Sequence, residues 1–175
     1  MQTFKIALTI VVALLLQMLL PNYLAFFRYI DLPLVVTVYF ALQRAPVLGM
    51  VTGMIAGLGG DAVGGGILGV GGFSKTLIGY LVGAASVRLS LENPLARLSV
   101  VALASAGNTV LFVGLNQMLE QTLPFVSTWG AFGATIGWKV LGDTVTSVIL
   151  FVVLDRVFSE QAAARRMAIK KRFYE

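Results

Sequence analysis

The feature that most constrains this chain is the stretch from Gly57 to Tyr80, GLGGDAVGGGILGVGGFSKTLIGY, which interrupts a strongly apolar sequence. Thirteen of the 19 glycines lie between Gly49 and Gly83, together with one acid, Asp61, and one base, Lys75. A charge at bilayer depth costs roughly 3 kcal/mol or more, so ionisable groups are rare there. Glycine permits close approach of two backbones. The stretch therefore predicts the tightly packed centre of a small membrane protein.

Composition supports a membrane protein. Of 175 residues, 58% are hydrophobic and 12% are charged, and the mean hydropathy is +0.89. Soluble domains carry about 25% charge. The chain has no histidine and no cysteine, which excludes disulfides, thiolate nucleophiles, the usual zinc ligands and histidine acid–base chemistry. No catalytic constellation can be assembled from the residues that remain, so the sequence predicts a protein that is not an enzyme and has no cofactor.

The hydropathy pattern predicts an all-α integral membrane protein of about six transmembrane helices, some of them short. The predicted segments are Phe4–Leu20, Leu32–Gln43, Val47–Ala62, Phe73–Val87, Leu98–Leu119 and Ile136–Val157. The second and third are short enough to be two brief helices, a re-entrant hairpin or one broken pair, and the sequence does not choose among these. The predicted membrane domain covers residues 1–158, and residues 159–175 form a basic tail.

The distribution of basic residues predicts the orientation. In a six-span arrangement, ten Lys and Arg residues fall on the side of the two termini and three on the other side. Positive residues mark the cytoplasmic side, so we expect both termini inside and the aromatic links 22–31 and 120–135 outside. The basic residues flank apolar segments, which argues against nucleic-acid binding. The tail is expected to contact anionic lipid or an acidic cytoplasmic partner. Its basic residues include Arg165, Arg166, Lys170, Lys171 and Arg172.

Glycines at a spacing of four predict a close helix contact. Such spacing aligns residues on one helical face, and small residues let membrane helices pack closely. The residues with this spacing are Gly49, Gly53 and Gly57 on the third segment and Gly79 and Gly83 on the fourth. Two interpretations remain open: packing within one chain, or a seam for a partner, including a second copy of the chain.

The charged residues inside the apolar segments suggest local pairs. Asp61 and Lys75 are interpreted as a buried charge pair, with a proton relay as the alternative. Lys139 and Asp143, four residues apart, predict a pair on the sixth span. Asn108 and Asn116 are expected to hydrogen-bond between helices. Residues 69–76, GVGGFSKT, approach a phosphate-binding loop, but Ser74 replaces a required glycine and no strand precedes it, so nucleotide binding is not predicted.

The central block also resembles a known family. The segment DLPLVVTVYFALQR, the proline and glycines that follow it, and the glycine-rich block are similar to the rod shape-determining protein MreD family. The matching positions of the block are Gly57, Asp61, Gly65, Leu68, Gly69, Lys75 and Tyr80. Ile67 stands just before Leu68, in a region where many relatives carry proline. The specific likeness covers Asp31–Tyr80, and length, hydropathy and the basic tail match elsewhere.

The resemblance implies a non-enzymatic inner-membrane scaffold of the lateral cell-wall elongation machinery. It implies MreC as a partner, together with MreB, RodA and the penicillin-binding transpeptidase of RodA. It also implies a fold similar to the S-components of energy-coupling-factor importers. The alternative function is therefore a vitamin-binding importer subunit. S-components commonly carry Ala-x-x-x-Ala on the first helix, whereas Ala7 and Ala13 here are six residues apart.

Overall fold

A computed structural model describes residues 2–23, 25–64, 66–89, 93–119 and 129–158. The part of the chain that it describes is all helical, and the predicted six helices are confirmed there. They are α1 (Gln2–Tyr23), α2 (Leu32–Ala41), α3 (Pro46–Gly64), α4 (Val70–Arg88), α5 (Pro94–Met118) and α6 (Trp129–Val157), with a 3-10 helix, Ala25–Tyr29, between α1 and α2. The basic tail, with Arg165, Arg166, Lys170, Lys171 and Arg172, lies outside the described residues.

Four helices in these ranges are long and apolar enough to cross a membrane, namely α1, α3, α4 and α5. Successive helices alternate in direction, so the bundle has two ends. Tyr23, Gly64, Val70 and Met118 lie at one end, which we call the Tyr23 end. Arg44 and the opposite ends of the same helices define the Arg44 end, where residues 2 and 158 also lie.

Helix α2 has only ten residues, and all ten are buried. At a rise of 1.5 Å per residue it is about 15 Å long, half the thickness of the hydrocarbon core. It occupies the centre of the bundle, where Tyr39 and Phe40 pack edge-on against each other and near Phe151 and Phe158. For the second and third predicted segments, the interpretation as two helices is the correct one of the three that the sequence left open. However, α3 is a full-length helix of 19 residues rather than a brief one.

The predicted starts of α4, α5 and α6 were too late. For α4 and α5 the reason is a capping group, which extends the helix into glycine-rich or polar sequence. Helix α4 begins at Val70 rather than Phe73, and α5 begins at Pro94 rather than Leu98. The side chain of Asn93 accepts a hydrogen bond from the backbone N–H of Leu95 at 3.0 Å, a favourable helix N-cap. Helix α6 begins at Trp129, within the predicted aromatic link.

Candidate functional site: a glycine seam and a buried polar centre

The five predicted seam glycines lie at the contact between α3 and α4. A Cβ atom added to Gly53 would lie 2.3 Å from the carbonyl oxygen of Lys75, and one on Gly57 would lie 2.3 Å from that of Gly71. Gly49 and Gly79 face each other with similar closeness, and Gly83 meets Pro46. The two backbones therefore touch along the helices, and the seam is filled within one chain.

Asp61 stands at the end of this seam and caps α4. Its carboxylate accepts hydrogen bonds from the backbone N–H groups of Gly69, Gly71 and Gly72 at 2.8, 3.1 and 3.1 Å. The first N–H groups of a helix lack partners in the helix and attract negative charge. A Cβ on Gly71 would collide with Asp61 Oδ1, and Gly69 has a φ of 106°, so both positions favour glycine.

The predicted pair between Asp61 and Lys75 is wrong. Lys75 Nζ instead forms an ion pair with Asp31 Oδ2 at 2.8 Å, and the two side chains are only 10% and 15% exposed. The physical reason is that Asp61 is engaged by the α4 N-terminus, whereas Lys75 lies one to two turns further along α4. Asp31 also caps α2, because its Oδ1 accepts from the N–H of Leu34 at 3.0 Å.

Asp143 approaches the same place from α6. Its Oδ1 accepts from the backbone N–H of Asp31 at 2.7 Å, and its Oδ2 accepts from the Ser105 hydroxyl at 2.5 Å. The predicted pair of Lys139 with Asp143 is wrong, since no ion pair joins them. Asp143 faces the bundle interior and bonds to α5 and to the start of α2. Lys139 lies near enough to attract both Asp143 and Asp31 electrostatically without forming an ion pair with Asp143.

Gln17 of α1 completes this arrangement. Its Nε2 donates to the carbonyl of Ile30 at 2.8 Å, and its Oε1 accepts from the N–H of Leu32 at 2.9 Å. These backbone groups are not part of a helix ladder at this point, and unpaired backbone groups are very costly at membrane depth. Gln17, Asp31, Lys75, Ser105 and Asp143 together form what we call the buried polar centre. It joins α1, α4, α5 and α6 to the start of α2.

In a comparison with protein families, the family described as rod shape-determining protein MreD matches residues 1–159 of the chain. The chain belongs to the MreD family. Membership places it among non-enzymatic membrane proteins that act in rod cell shape determination. No curated protein matches it and no solved structure matches it.

Sequence reasoning missed most of the polar centre of this family member. Gln17 is a single amide in an otherwise apolar span, and Asp31 precedes an apolar run with proline in its first turn, which is a helix-start signal. Those two signals were available. Ser105 and the inward direction of Asp143 depend on which helices are neighbours, and a single sequence does not give this.

The asparagines also differ from expectation. The Nδ2 of Asn116 donates to the carbonyl of Phe112 in its own helix at 2.8 Å, so the predicted interhelical bond is wrong there. Asn108 Oδ1 is buried without a partner among the described residues. The described residues contain no group of three or more acidic, histidine or cysteine side chains that could hold a metal ion. The buried polar centre therefore connects the helices through the ion pair and hydrogen bonds described above, which are formed between its own residues and nearby backbone groups.

Proposed function

We propose that the chain is a scaffold of the lateral cell-wall elongation machinery in the bacterial inner membrane, with both termini cytoplasmic, and that it binds MreC. The observation that carries the proposal is membership of the MreD family over residues 1–159. The interior supports it. Asp31, Lys75, Asp143, Gln17 and Ser105 all bond to other groups of the same chain, as expected of a rigid body that acts through its outer faces.

The outer faces suit membrane partners. Exposed apolar side chains run along α1, α5 and α6, including Leu8, Leu15, Leu103, Val145 and Val152. Because the glycine seam is used within the chain, a partner has to bind one of these faces. MreB, RodA and its penicillin-binding transpeptidase are proposed to join the same assembly, and a second copy of the chain is a further candidate. The basic tail is proposed to bind anionic lipid or a cytoplasmic partner.

The alternative, a vitamin-binding importer subunit with an S-component-like fold, stays a weaker prediction. Ligand binding between these helices would require polar groups that are available to a ligand. In the buried polar centre, the Lys75 ammonium already faces Asp31, and both Asp143 oxygens accept hydrogen bonds. Family membership also favours the scaffold.

The proposal is tested by depletion and complementation in a rod-shaped bacterium whose own MreD protein is depleted. We expect depleted cells to lose rod shape, the plasmid-borne chain to restore it, and MreC to co-purify with the tagged chain. Vitamin uptake, measured in the same depleted cells, should be unchanged. Depleted cells that stay rod-shaped while a vitamin uptake defect appears would refute the scaffold and support the alternative.

The same experiment is sharpened by a matched pair of variants in α3. Gly53→Leu inserts a side chain into the filled seam and should prevent accumulation of folded protein, whereas Gly60→Leu meets open space around its Cβ and should complement. Complementation by the Gly53 variant would contradict the packing that makes this chain a rigid scaffold.

A further inference from the structure

The Asn108 side chain on α5 ends in a buried oxygen that lacks a hydrogen-bond donor. Its Oδ1 has no partner among the described residues, and the residue is only 3% exposed. Thr144 Oγ1 also has no partner in the described ranges, but Thr144 is only partly buried and its hydroxyl can rotate. An unpaired polar group is very costly at membrane depth. The Asn108 oxygen therefore indicates a bound molecule that supplies a donor.

The direction of the Asn108 side chain follows from its neighbours on α5. The hydroxyl of Ser105 donates to Asp143 of α6. A Cβ on Gly107 would lie 3.2 Å from Cδ1 of Ile78 on α4. Because a helix turns by about 100° per residue, Asn108 points about 60° from Ser105 and about 100° from Gly107, between these two directions. It therefore faces the bundle interior between α6 and α4, where the buried polar centre lies.

The Lys75 ammonium provides spare donors at nearly the same height. Helices α4 and α5 run in opposite directions, so Asn108 and Lys75 both lie on the Tyr23 side of the contact between Gly107 and Ile78. They are one and three residues away from it, and their heights therefore differ by about 3 Å. An ammonium has three N–H donors. Among the described residues, Lys75 Nζ pairs only with Asp31 Oδ2, at 2.8 Å.

The chemistry of these two groups selects what can bind between them. No hydrogen bond joins them directly, because Asn108 Oδ1 has no partner in the part of the chain that the structure describes. The amide oxygen would repel an anion, and the ammonium would repel a cation. Water is neutral and both accepts and donates. A buried water typically makes about two to four hydrogen bonds to groups that otherwise lack partners, and immobilising it costs less than leaving such a group unpaired.

We propose that one internal water molecule binds between Asn108 and Lys75, accepting a hydrogen bond from the Lys75 ammonium and donating one to Asn108 Oδ1. The water adds Asn108 to the buried polar centre and links α4 to α5 beside the ion pair of Lys75 with Asp31. The inference does not rest on the proposed scaffold function, since it concerns only the interior of the folded chain.

X-ray radiolytic labelling of the detergent-solubilised full chain tests for the water, because radicals formed from a bound water oxidise adjacent side chains. Ile78 reports on the site. Val82 is the matched control, since it lies one turn away on the same side of α4 and the two residues are 6% and 7% exposed. After correction for intrinsic reactivity, we expect Ile78 to be oxidised at least about threefold faster than Val82. Asn108→Leu should lower the rate at Ile78 to that at Val82.

Thermal unfolding of four variants tests the two partners of the water. Asn108→Leu should lower Tm by about 2–6 °C in the wild-type chain, because the ammonium loses a bridged acceptor. It should lower Tm by less than half as much in the Lys75→Met variant, where the water has already lost its donor. Asn116→Leu is the control, since Asn116 is 5% exposed on the same helix and its amide bonds to its own helix backbone. This control should shift Tm equally in both backgrounds.

Each result supports or overturns the water. A higher Tm for Asn108→Leu would identify Asn108 as an unpaired group whose removal stabilises the fold, and would overturn the proposal. Coupled Tm shifts with equal labelling of Ile78 and Val82 would overturn it in favour of a direct bond between Asn108 and Lys75. Fast labelling of Ile78 that survives Asn108→Leu would assign the water to other groups and overturn it as well. If Lys75→Met does not accumulate as folded protein, the labelling comparison decides alone.

Discussion

Replacing Gly53 by alanine is the most direct test of the close contact between α3 and α4. The added methyl carbon would lie 2.3 Å from the Lys75 carbonyl oxygen and 2.7 Å from the carbonyl carbon, whereas ordinary contacts begin at 3.4 Å. Both neighbours are helix backbone, so no side chain can rotate away. The helices must therefore separate locally by about 1 Å, and a gap of this size forfeits a quarter to a half of the dispersion energy of the atoms involved.

Overpacking of this kind costs about 1–3 kcal/mol. The upper end of this range applies here, because separating the helices at Gly53 also loosens the neighbouring glycine contacts of the seam. We therefore expect Gly53→Ala to destabilise the folded chain by about 3 kcal/mol, or about 6–12 °C in Tm for a chain of this length. The assay is thermal unfolding of the detergent-solubilised protein, followed by size-exclusion chromatography of a fluorescent fusion.

Gly60→Ala is the matched control, because it lies in the same helix and its Cβ would have no atom within 4 Å. Alanine favours helix over glycine by about 1 kcal/mol, so this variant should melt at or slightly above the temperature of the wild type. Equal melting temperatures for the Gly53 and Gly60 variants would show that the two helices are not in backbone contact, and would refute the packing argument.

Three further substitutions test the polar groups by the same thermal assay. Lys75→Met leaves the Asp31 carboxylate without its counter-charge and should lower the free energy of unfolding by about 3–5 kcal/mol. Adding Asp31→Asn should recover part of this loss, because asparagine still caps α2. A double variant that recovers no stability would contradict the ion pair. Gln17→Leu leaves two backbone groups unpaired and should cost about 2–4 kcal/mol, whereas the exposed Gln117→Leu should change little; equal effects would refute the role of Gln17. Asp61→Asn weakens three hydrogen bonds to α4 and should cost about 1–3 kcal/mol, and an unchanged melting temperature would argue against the cap.

The sequence predicted the features that depend on local chemistry. Six apolar segments became six helices, and the spacing of four between the seam glycines placed them on one face of α3. The charged pairs were mispredicted because proximity along the chain is a weak guide in a bundle. Asp61 lies near Lys75 in sequence, yet the N–H groups of α4 compete for it more effectively. Asp31 and Asp143 are 112 residues apart, and their contact depends on how α2 and α6 pack.

The predicted helix starts were wrong for a related reason. Hydropathy locates the apolar middle of a helix, whereas its first turn is set by a cap. Asn93 followed by Pro94 gives such a signal in the sequence, but the Asp61 cap on α4 comes from another helix and could not be read locally. The short length of α2 was visible, yet its complete enclosure follows only from five surrounding helices.

The dependence of α2 on distant residues has a consequence for biosynthesis. Asp31 enters the membrane long before its partners exist, because Lys75 and Asp143 follow by 44 and 112 residues. At 5–20 residues per second, about 6–22 s pass between synthesis of Asp31 and synthesis of Asp143. During this interval the start of α2 lacks the acceptor for its backbone N–H. A nascent chain that stops before α6 should therefore stay open to membrane proteases and chaperones, and release from them would mark the arrival of the last helix.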